Sequence, residues 1–165
     1  MEGFHDDGIA TGIVQPKLRI AGRPRVGASE EYVLLEEPGE PVLMHYVGRH
    51  EPHLKRDCPH CKPDVQQELK SFYYIGGATL GGELVIVELT PKCLDAAVAG
   101  AAAFEGGGIT GLMVRILRGG YAPSPRILRC VQRVRKFPEW PFHTRAELCR
   151  IWNVAIKPRI YREQA

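Results

Sequence analysis

The run Ser71-Phe-Tyr-Tyr-Ile75, Gly76-Gly-Ala-Thr-Leu-Gly-Gly82, Glu83-Leu-Val-Ile-Val-Glu-Leu89 decides the fold class. Its two ends are rich in aromatic and β-branched residues, and the glycines between them predict a turn over 76–82 joining two strands. The period then changes. Thr90 is a good N-cap, Pro91 suits the first helical position, and CLDAAVAGAAAF continues until Gly106-Gly107-Gly108 stops it. Strand, strand and helix therefore form the centre of the chain.

Working outward, 31–35 and 41–46 predict short strands around the turn Glu37-Pro-Gly-Glu40, and 13–20 an extended segment broken by Pro16. The first dozen residues, with three glycines and little periodicity, read as a loose arm. Downstream, 111–118 and 126–136 predict a second strand pair, and Thr144-x-x-Glu147 matches a capping box opening a short helix. The whole reads as one mainly β domain over 1–165, with one central helix and a short C-terminal helix. With five or six strands in so small a chain, an OB-like β-barrel removes sheet edges most economically. The OB barrel also places its helix between the third and fourth strands. A β-sandwich or a mixed α+β sheet fits the same order.

The chain has 165 residues, 44% hydrophobic and 25% charged, enough for a core without disulfides. No run of 18 apolar residues and no signal-peptide pattern occurs, so a cytoplasmic protein is expected, with its five cysteines as thiols. Charge is split along the chain: residues 1–107 hold 10 Lys/Arg against 16 Asp/Glu, and 108–165 hold 12 against three. A C-terminal third that basic fits a polyanion-binding face, unless its arginines pair with the acidic half of the same molecule.

The segment 45–64 is too polar to form core and reads as an insertion held by something else. It contains His45, His50, His53 and the knuckle Cys58-Pro-His60-Cys61. Two thiolates on one side of a tight turn, with histidines close upstream, suit tetrahedral Zn²⁺. The preferred ligands are His45, His53, Cys58 and Cys61, with His50 as the first substitute and His60 pointing away. Four protein ligands make such a site structural, with no open position for activated water. The H-x-E element of zinc deaminases is missing, as are HExxH, the P-loop, GxSxG and GxGxxG. No catalytic constellation is found, and no enzyme is expected.

The basic strands offer a binding surface. Alternation places Arg129, Arg133 and Arg135 on one face, with Arg115 and Arg118 from the neighbouring strand. Tyr46 and the consecutive Phe72, Tyr73 and Tyr74 supply rings. Rings that stack bases, with cations that neutralise phosphates, hold single-stranded nucleic acid. Trp140, Phe142 and Trp152 read as packing residues near the terminal helix.

His45, then Cys58-Pro-His-Cys61 in an excursion from an early strand, then Phe72-Tyr73-Tyr74, resembles the zinc-containing single-stranded DNA-binding proteins of T-even-like phages. His53 stands where that pattern has a third cysteine-type ligand. The resemblance covers about residues 40–90. It implies an OB-fold core, a structural Zn²⁺ and binding of single strands, DNA before RNA, with little sequence preference, in replication, recombination or repair. Those proteins carry an acidic tail, whereas this chain ends Lys157-Pro-Arg-Ile-Tyr-Arg162-Glu-Gln-Ala. The competing expectation is a zinc-stabilised protein-interaction subunit of a larger nucleoprotein machine.

Overall fold

The computed structural model describes residues 18–54, 58–61, 69–120, 125–155 and 158–160. The arm expected over 1–12, and residues 55–57 and 62–64 of the expected insertion, lie outside them. The first six strands are β1 (Ile20–Ala21), β2 (Ser29–Leu34), β3 (Val42–Tyr46), β4 (His50–Pro52), β5 (Lys70–Thr79) and β6 (Leu84–Leu89). Helix α1 (Pro91–Ala101), β7 (Leu112–Arg118), β8 (Arg126–Arg133) and α2 (Thr144–Trp152) follow.

The main sheet runs β1-β6-β5-β2-β7-β8. Within it β7, β2, β5 and β6 are adjacent in that order, so the fourth of these strands in sequence returns beside the first, a Greek key. The returning connection carries α1. Strand β5 is long enough to serve two regions: Tyr73–Ala78 lie against β6, Gly77–Thr79 against β2, and Lys70–Phe72 against β3, which in turn pairs with β4.

Full closure of a barrel is not reached. Among the described residues β8 is paired only with β7, and the edge of β6 that it would need is taken by β1, in parallel register Ile20↔Ile86 and Ala21↔Val87. Side chains span the opening instead: Arg126 of β8 donates to the Gly22 carbonyl (3.2 Å) and to Glu88 of β6 (3.0 Å).

One face of the curled sheet holds the main core, with Ile75, Val87, Leu89, Leu112, Val114 and Ile116 packed against Cys93, Leu94 and Ala97 of α1. The opposite face of β5 and β6 carries a second cluster, Phe72, Tyr74 and Ile86, covered by Leu148, Trp152, Trp140 and Phe142. Being buried on both faces explains why Leu84–Leu89 is a nearly continuous apolar run.

Helix α1 starts as the sequence predicts, with the Thr90 hydroxyl accepting from Cys93 N (3.1 Å) and Pro91 in the first turn. Three local expectations are corrected. Gly76 and Gly77 continue β5 rather than turn: a Cβ on Gly76 would lie 2.2 Å from the Trp140 ring, and one on Gly77 2.7 Å from Val87. The turn follows, with Gly82 at φ +89° donating to the Thr79 carbonyl (2.9 Å). At α2 the N-cap is His143, whose Nδ1 accepts from Ala146 N (3.2 Å); the Thr144 hydroxyl instead accepts from Trp140 (3.0 Å) and donates to Glu36. A β-bulge in β8, opposite Met113 and Val114, breaks alternation after Cys130.

Candidate metal centre and cationic cleft

His45 sits on β3 opposite Glu51 of β4, and His53 follows β4 directly, with its backbone N–H on the Leu43 carbonyl (2.8 Å). The chain near its C-terminus braces this hairpin: Arg159 N–H donates to the His53 carbonyl (2.7 Å), and Leu43 N–H to the Arg159 carbonyl (3.1 Å). Both imidazoles are buried as a result. The knuckle closes through Cys61 N–H on the Cys58 carbonyl (3.2 Å), which brings both sulfurs over the imidazoles.

His45 Nε2, His53 Nδ1, Cys58 Sγ and Cys61 Sγ all lie within 4.8 Å of one another. Cys58 Sγ is 3.4 Å and Cys61 Sγ 3.6 Å from His45 Nε2, and Cys61 Sγ is 3.4 Å from His53 Nδ1. A tetrahedral ion with Zn–S ≈ 2.3 Å and Zn–N ≈ 2.0–2.1 Å would set S···N edges at about 3.5 Å. The two ring nitrogens are 2.7 Å apart, closer than such an ion would hold them. The four expected ligands thus form a group that could hold a metal ion. Burial, His45 and Arg159 all lower the His53 pKa, which favours the neutral, ligating imidazole. Burial opposes ionisation of Cys58, but hydrogen bonds from the backbone at Leu54 and His60 prevail and hold its thiol below the usual range.

The two remaining histidines of the segment stand outside the group. The His60 ring lies 5.8 Å from that of His45, while His50 packs edge-on against Phe72 (4.9 Å) and Tyr46 (5.4 Å). His50 leads into a cleft of about 560 Å³ between the start of β5, the end of β6, the start of α1 and the ends of the β7–β8 loop. Arg23, Lys70, Lys92, Arg118 and Arg126 line it. Arg126 lies 5.4 Å over the Phe72 ring.

Beneath the cleft is Glu88, fully buried. It accepts from Arg23 Nε (2.9 Å) and Nη2, from Arg126 Nη1 (3.0 Å) and from the Tyr74 hydroxyl (2.8 Å). Burial would raise its pKa, but the two guanidiniums and the hydroxyl outweigh burial and leave it below the ordinary carboxylate value. The local potential is felt at His50, whose pKa burial lowers; Glu88 opposes this, while Arg23, Arg126 and Lys70 add to it.

The residues expected to meet nucleic acid separate into groups. Tyr46 is 67% exposed on the hairpin. Phe72 and Tyr74 are 4% and 7% exposed, and Tyr73 packs against the main core, so the β5 rings are packing residues and not open stacking platforms. Arg118 belongs to the cleft, and Arg115 is held by Glu31 (2.7 Å). Arg129 and Arg135 are exposed and make no ion pair among the described residues. Arg133 does not share the Arg129 face: the bulge sets it opposite Leu112, where it donates to the carbonyls of Thr110 (2.8 Å) and Gly108 (2.6 Å).

Sequence pattern alone does not bring Arg23, Lys70, Lys92, Arg126 and Glu88 together as a site. The one signal in the sequence was Glu88 itself, an acid inside an apolar run, which needs a buried cation. No family model matches the chain, and neither a curated protein nor a solved structure matches it.

Proposed function

We propose that this is a zinc-stabilised, OB-like domain that binds single-stranded nucleic acid, DNA in the first instance, with little sequence preference. Replication, recombination or repair is the corresponding setting. The observation that carries the reading is the placement of the cationic cleft beside the candidate metal hairpin, linked to it by the ring contacts Tyr46–His50 and His50–Phe72.

The strand order supports the OB-like part. The path β6-β5-β2-β7-β8 contains five strands, with the helix between the third and fourth in sequence and one seam left open. OB-folds are partly open five-stranded Greek-key barrels that bind oligonucleotides across strands 2 and 3 and the loops joining strands 1–2 and 4–5. Here those correspond to β5, β6, His50 of the β3–β4 hairpin, and the ends of the β7–β8 loop, which together border the cleft. Lys70, Lys92, Arg118 and Arg126 would neutralise phosphates, and exposed Tyr46 with His50 would stack a base. The donor set favours Zn²⁺, since two sulfurs and two imidazoles suit it and leave no position for substrate. The ion would fix the hairpin that carries Tyr46 and His50.

Fluorescence anisotropy of labelled oligo-dT, the matching RNA and a duplex, at several salt concentrations, tests this. The expected result is preference for a single strand, with log affinity falling against log salt at a slope of about −2 for three phosphates. No binding at low salt would refute it. A second reading, protein docking, is favoured by β8, an edge strand with Ile127 51% and Val131 41% exposed around Arg129. It predicts that Ile127→Lys disrupts complex formation and leaves oligonucleotide affinity unchanged.

A further inference from the structure

We infer that the cleft is built for a phosphomonoester, the terminal phosphate of a strand or of a free mononucleotide, in preference to an internal phosphodiester. The inference rests on the nucleic-acid reading of the same cleft and narrows its ligand. Its first support is size. A cleft of about 560 Å³ falls within the roughly 300–1,000 Å³ of sites that take one small ligand.

Charge is the second support. Arg23 and Arg126 share one carboxylate, Glu88, so the pair keeps a net positive charge. Lys70, Lys92 and Arg118 line the same space, which concentrates positive charge in one small cleft. A phosphodiester brings a single charge, whereas a terminal phosphate carries about −1.5 to −2 at pH 7 and three strong acceptor oxygens.

Rigidity is the third. Arg126 is only 13% exposed along its side chain and is held by Glu88 and the Gly22 carbonyl, and Glu88 is itself fixed by Tyr74. A guanidinium positioned before the ligand arrives loses little freedom on binding, and its fork suits phosphate oxygens. Pro91 and Pro125 form stiff wall segments. His50 and Tyr46 then lead outward from the phosphate position toward the attached nucleoside.

The test compares oligo-dT bearing a phosphate at the 5′ end, at the 3′ end or at neither, each labelled internally, with thymidine monophosphate as competitor. One phosphorylated end should bind roughly tenfold tighter than the hydroxyl form. Lys70→Gln with Lys92→Gln, both exposed positions, should erase that difference while the circular dichroism spectrum is unchanged. Equal affinities for phosphorylated and hydroxyl ends would overturn this inference and leave strand binding intact. Competition-sensitive binding of thymidine monophosphate, with no binding of any hydroxyl-ended strand, would support the inference and overturn the strand-binding reading. Binding of neither would overturn both.

Discussion

The β3–β4 hairpin and the curled sheet around α1 share β5, yet they are held by different forces. The sheet buries Ile75, Val87, Leu89, Leu112 and Ile116 against a helix, and apolar burial suffices. In the hairpin Val42 and Met44 join the second apolar cluster, whereas on the other side of it the chain is polar and the buried His45 and His53 imidazoles face two sulfurs. In the proposed reading the histidine side depends on donors converging on a shared ion, and residues 158–160 brace it from outside. The difference teaches that one small chain can contain a self-sufficient core and a dependent one, and that the cleft lies where they meet.

Breaking the dependent core should give the largest effect. Replacing Cys58 and Cys61 with Ser should take bound metal from one ion per chain to none, removing a binding free energy of the order of 10 kcal/mol at pH 7. Amide exchange should then accelerate in β3 and β4 and stay slow in β6 and β7; unchanged metal content and exchange would overturn the contrast.

Next comes the seam. Glu88→Ala leaves Arg23 and Arg126 without their shared carboxylate and should cost about 3–5 kcal/mol, read as a lower urea midpoint. The same group sets a pH dependence. Its folded pKa lies below the ordinary carboxylate value, so its contribution is complete above that range and is lost as pH falls through the lowered value. Glu88→Gln should therefore flatten the acid side of the stability profile; an unaltered acid limb would contradict the ion-pair account.

The smallest effect belongs to the self-sufficient core. Thr90→Ala should remove the cap of α1 for about 1 kcal/mol and leave the metal site untouched, as thermal melting and metal analysis can verify.

The two regions were unequally legible in the sequence. Thr90-Pro91 marks the start of α1 because capping is local, and the ligand group at His45, His53, Cys58 and Cys61 follows from donor types and spacing. Contacts distant in sequence were hidden. Gly76 and Gly77 look like a turn until Trp140 and Val87 are seen packed where their side chains would be. The α2 cap falls one residue early because Glu36, far away in sequence, takes the Thr144 hydroxyl. A bulge moves Arg133 off the Arg129 face, and no periodicity announces it. The cleft gathers Arg23, Lys70, Lys92, Arg118 and Arg126 from five separate segments; of these the sequence singles out Arg118 alone, and the isolated Glu88 hints at the rest.

The most direct test joins the two regions. Oligo-dT affinity is measured for the metal-loaded protein and again after chelation, with circular dichroism recorded on the same samples. If the hairpin presents Tyr46 and His50 to a strand held in the cleft, chelation should weaken binding by roughly tenfold, the worth of one stacked base, while the sheet signal persists. Full affinity with the metal removed and the sheet intact would contradict the account.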